Sequence, residues 1–72
     1  MKIKVEMVKI FEVEVEAPEF LRPMMTGEKE FYELLPLTNQ QHNEYNDWYE
    51  AVEKKYDAKF LDGGDWTLVE DV

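Results

Sequence analysis

The sequence predicts an α+β domain: a small antiparallel β-sheet, with elements in the order β-β-α-β-β and one amphipathic helix packed across one face. Three observations predict it. Residues 2–16 alternate apolar and polar side chains with the period of a half-buried strand. Residues 38–57 carry apolar side chains at helical spacing behind a capping box. Two short β-prone runs flank a Gly-Gly pair near the C-terminus. The 72 residues make one domain spanning 1–72.

In the first segment Ile3, Val5, Met7, Phe11, Val13 and Val15 fall on one face, and Lys2, Lys4, Glu6, Glu12, Glu14 and Glu16 on the other. Val8, Lys9 and Ile10 interrupt the alternation, which points to a bulge or to cover on both faces. With no Gly, Asn or Pro there, the segment reads as one long strand. Pro18, Pro23 and Gly27 mark 17–27 as a connection that nevertheless holds Phe20, Leu21, Met24 and Met25. Those four side chains either fold back over an open end of the core or form a contact patch suited to a protein partner.

A second strand is expected over about 29–35, stopped by Pro36. Thr38 and Gln41 then form a Thr-x-x-Gln capping box, and Tyr45, Trp48, Tyr49, Val52 and Tyr56 give the following helix one apolar stripe. Lys54, Lys55 and Lys59 suit its negative C-terminal end. Lys59–Leu61 and Trp66–Val69, around Asp62-Gly63-Gly64-Asp65, read as a terminal hairpin.

Composition narrows the function classes. Ten aromatic residues and 44% apolar content exclude a disordered chain, despite a net charge of −9. The absence of cysteine removes disulfide and thiolate chemistry, and the N-terminal alternation has no continuous apolar run. The expectation is a cytoplasmic protein that engages neither membrane nor nucleic acid directly, since both call for a basic footprint.

Catalysis is poorly supplied. With neither Cys nor Ser the usual nucleophiles are missing, and His42, the only histidine, has no metal-ligand spacing around it. Asp62 and Asp65 flank a turn that lacks the ligand positions of a calcium loop. The chain is therefore read as a binding protein without cofactor or metal.

The charge is concentrated. Residues 10–53 contain eleven acids and two bases, Arg22 and Lys29, whereas the remainder has six of each. Glu12, Glu14 and Glu16 project from one strand face, about 6.7 Å apart. Asp47, Glu50 and Asp57 are placed on the solvent side of the helix, and Glu28, Glu30 and Glu33 in or beside the second strand. Spaced carboxylates on a rigid surface imitate nucleic-acid phosphates and fit a basic groove; they also keep a small protein soluble and guard a strand edge.

The leading expectation is an inhibitor or regulator that presents Glu12, Glu14, Glu16, Asp47 and Glu50 to a basic protein surface, with Phe20 and Met24 as apolar anchors. Its general character, a tiny cysteine-free acidic domain, resembles the accessory proteins of phages and mobile elements, a resemblance that covers no specific motif. The alternative is a structural or assembly subunit that forms a homodimer through an exposed strand edge.

Overall fold

The computed structural model describes residues 1–69. The segment expected as one strand is a hairpin: β1 (Lys2–Met7) pairs antiparallel with β2 (Phe11–Glu16), Lys2 opposite Glu16 and Met7 opposite Phe11. The turn between them is closed by the Ile10 N–H donating to the Met7 carbonyl at 3.2 Å. Its backbone is left-handed at Lys9 (φ 72°), and again at Phe11 (φ 56°). Such angles normally go to Gly or Asn, so residue types at 8–10 do not announce the reversal.

The C-terminal runs also differ from expectation. They do not pair with each other; both pair with β1. Phe60 bridges Met7, and β3 (Thr67–Leu68) lies opposite Lys4 and Ile3, giving the sheet order β2-β1-β3. Beyond the β3 ladder this side is tied to β1 by the Val8 N–H to the Lys59 carbonyl at 2.8 Å, the Leu61 N–H to the Glu6 carbonyl at 3.0 Å, and the Val69 N–H to the Lys2 carbonyl at 3.0 Å. The segment is in effect one antiparallel strand interrupted by a loop at 62–66. A tight turn opens that loop, with the Gly64 N–H on the Leu61 carbonyl and Gly63 at φ 76°. A side chain at Gly64 would put its Cβ 3.0 Å from that of Glu6.

The strand expected at 29–35 is absent. Phe31–Leu34 is a 3-10 turn with its own capping box, the Glu33 carboxylate accepting the Glu30 N–H at 3.0 Å. Local bonding of this kind competes with a ladder, and both sides of β1 are already occupied. The architecture is therefore α+β, but the element order β-β-α-β-β is not realised.

Residues 17–27 fold as a 3-10 turn, Glu19–Leu21, followed by the short helix α1 (Arg22–Met25). Leu21 is fully buried and Met25 packs against the core, while Phe20 and Met24 are half-buried. The helix α2 (Asn39–Tyr56) starts as expected: Thr38 Oγ1 accepts the Gln41 N–H at 3.1 Å and Gln41 Oε1 accepts the Thr38 N–H at 3.0 Å. It ends at Asp57, whose left-handed backbone (φ 50°) closes the last turn.

The apolar face of α2 lies on the sheet. Ile3, Val5, Met7, Val15, Ala17, Val52 and Phe60 form the buried cluster, with Trp48, Tyr49, Tyr56 and Trp66 packed against it. Rings run in contact through this layer, with Tyr49–Phe60 centroids at 4.2 Å, Trp48–Trp66 at 5.3 Å and Trp48–Phe60 at 5.7 Å. Large rings suit a domain this short, because few residues must supply most of the buried area.

Candidate functional site

The hydrogen bonds of β1 determine which backbone groups of β2 are left open. Lys2, Glu6 and Val8 bond toward the C-terminal segment, so by alternation Ile3 and Val5 bond toward Val15 and Val13 of β2. The N–H and C=O groups of Glu12, Glu14 and Glu16 consequently point away from the sheet. No other strand among the described residues pairs with β2, which leaves it an edge. At one end the edge is capped: the Trp48 indole N–H donates to the Glu16 carbonyl.

The same three residues carry the acidic row. Glu12, Glu14 and Glu16 are exposed on the sheet face opposite α2, and the row behind them on β1 reads Glu6, Lys4, Lys2. Two of the three carboxylates thus face lysines across the strand pair, Glu14 opposite Lys4 and Glu16 opposite Lys2, an arrangement that stabilises the hairpin. Glu6, opposite Glu12, is engaged elsewhere: its Oε1 accepts the Asp65 N–H at 2.6 Å. A purely acidic sheet face is therefore not what the hairpin presents. Its outermost row is acidic and its second row is mostly basic.

Beside this edge runs a cleft. Glu14, Val15 and Glu16 line one wall, Ala51, Val52 and Lys55 of α2 the other, and Lys2 also contributes. Asp47 lies one turn before Ala51 on the same flank of the helix, and Glu50 is exposed. Phe20 and Met24, half-buried in the 17–27 segment, have only part of their surface available. Around the start of the acidic row, the Met1 amino group lies 3.3 Å from carboxylate oxygens of both Glu16 and Glu19. Burial lowers the pKa of this amine, but the bonds and charge of the two carboxylates outweigh that and hold it above its ordinary value. Glu19 is held below the usual carboxylate range, chiefly by its bonds to the Arg22 guanidinium at 3.0 Å.

Sequence reasoning missed several exposed apolar side chains. Phe11, assigned to the apolar strand face, is 86% exposed at the hairpin tip; Tyr32 is 71% and Leu35 51% exposed in the segment that was expected to be a strand. The break in alternation at 8–10 was the available signal for the first. The Glu30–Glu33 spacing, a capping box in its own right, was the signal for the others.

His42 is exposed in the first turn of α2, its backbone N–H bonded to the Thr38 carbonyl at 2.8 Å. No helix among the described residues is long and apolar enough to cross a membrane. No protein-family model, curated protein or solved structure matches this chain.

Proposed function

We propose that this chain is a protein-interaction module that presents carboxylates to a basic protein surface, acting as an inhibitor or regulator of its partner. A protein that itself binds nucleic acid has the groove chemistry for such a ligand. The observation that carries this reading is the row Glu12, Glu14, Glu16, exposed along the edge strand of the hairpin, with Asp47 exposed on α2. Glu50 adds to the long-range field that steers encounter. Phe20 and Met24 contribute apolar contact at the margin. The reading involves no catalytic step, cofactor or metal.

The test is salt dependence. The chain, immobilised at low ionic strength, is expected to retain a basic protein that elutes early in a salt gradient, because charges more than about 8 Å apart are screened at physiological ionic strength. A variant with glutamine or asparagine at positions 12, 14, 16, 47 and 50 should retain far less of it. Retention that is unchanged by salt and by these substitutions would end the proposal.

A further inference from the structure

We infer that β2 binds its partner as an added strand: an extended segment of the partner pairs antiparallel with the open edge, carrying Lys or Arg at alternate positions. This deepens the reading above and rests on it. Three features of the edge converge. Among the described residues no strand lies beside the outward N–H and C=O groups of Glu12 and Glu14, which form a ladder ready for an incoming backbone. A cleft lies beside the Glu14–Glu16 part of that edge, with small Ala51 and apolar Val52 on its far wall, so room for one end of an added strand already exists. The residues that offer the backbone bonds are also the ones that offer the carboxylates.

That coincidence selects the occupant. In an antiparallel ladder a bonded pair shares a face, so each partner residue opposite Glu12 or Glu14 projects its side chain beside the carboxylate. Lys or Arg there would place Glu14 between two basic side chains, with Lys4 behind it, and give Glu12, which has Glu6 behind it, an opposite charge. The intervening residues of the partner would point toward Ala51 and Val52 and should be small or apolar. A second copy of β2 is disfavoured by the same geometry, since every two-fold pairing sets glutamate opposite glutamate.

A fluorescent, acetylated peptide of alternating lysine and valine is the probe, titrated against the full chain at low salt with anisotropy as readout. Two isomers N-methylated at the lysines or at the valines keep the charge, but only the first loses the N–H groups that face β2. The parent and valine-methylated peptides should bind alike, and the lysine-methylated one about tenfold more weakly, the effect of losing one or two net hydrogen bonds. The parent peptide should also slow amide exchange at Glu12 and Glu14 by about tenfold. Equal binding of all three peptides overturns strand addition while leaving the basic-surface reading intact. Failure of all three to bind overturns both.

Discussion

The two sides of β1 are closed in different ways. On one, the C-terminal segment is held by backbone bonds, by Glu6 gripping the Asp65 N–H, and by Phe60 set among Trp48, Tyr49 and Trp66. On the other, β2 is a full six-residue strand whose outer edge carries one cap, from Trp48, and three carboxylates. The strand pairing through β3 is only two residues long, yet that side still sends Phe60 into the core, where the β2 side sends Val15 and Ala17. Pairing length and packing are thus separate quantities: ring packing secures the short side, and the outer edge of the long one is left to the Trp48 cap and its carboxylates.

Substituting Phe60→Ala breaks the closed side. Phe60 is 8% exposed, and losing a buried aromatic costs about 3–5 kcal/mol. A domain of this size holds about 0.05–0.15 kcal/mol per residue, so a large share of its stability would go. Urea titration followed by circular dichroism measures it. Val13→Ala on β2, half-buried, should cost only about 1 kcal/mol. Equal losses from the two substitutions would refute the asymmetry.

Alkali tests the same side more gently. Burial raises the pKa of Tyr45, aided by Tyr49, and burial with the negative charges of Glu53 and Asp62 raises that of Tyr49. A folded-state pKa above the unfolded one, near about 10, means that stability is fully present below that pH and is lost as pH rises through the folded-state value. Urea midpoints should therefore hold constant to about pH 9 and fall beyond about pH 10. Tyrosine absorbance that titrates at the ordinary value in the folded protein would contradict this.

The smallest effect on stability is expected on the open side. Combining Glu12→Gln, Glu14→Gln and Glu16→Gln removes three opposite-charge neighbours, Lys4, Lys2 and the Met1 amine, and one like-charge one, Glu6, a net change of about 1 kcal/mol. Its consequence is association: without carboxylates the edge should pair with itself, raising the mass seen by light scattering above that of the parent chain at equal concentration. No difference in mass would show that charge does not guard this edge.

These contrasts also explain what could be read in advance. The helix was legible to within a residue, because its capping box and aromatic stripe are local and mutually consistent. The hairpin was hidden by parity. A three-residue loop pairs odd residues with odd ones, so Ile3, Val5, Met7 and Val13, Val15 alternate as they would along one strand. The C-terminal runs were recognisable as β-prone, but their partner was not, since pairing with β1 is a long-range choice that local propensity does not encode. Of the candidate site, the acidic row and its common face were legible. The open edge beneath it and the lysines behind it required the register.

Trp48 draws together several of these regions. Its indole caps the last carbonyl of β2, and its ring stands 5.3 Å from that of Trp66 in the tail. Both tryptophans of the chain therefore sit at one junction between the helix, the open strand and the closing segment. Intrinsic fluorescence from this protein will report on that junction rather than on an average over the molecule, giving a built-in optical probe at the end of the edge where a partner strand would dock.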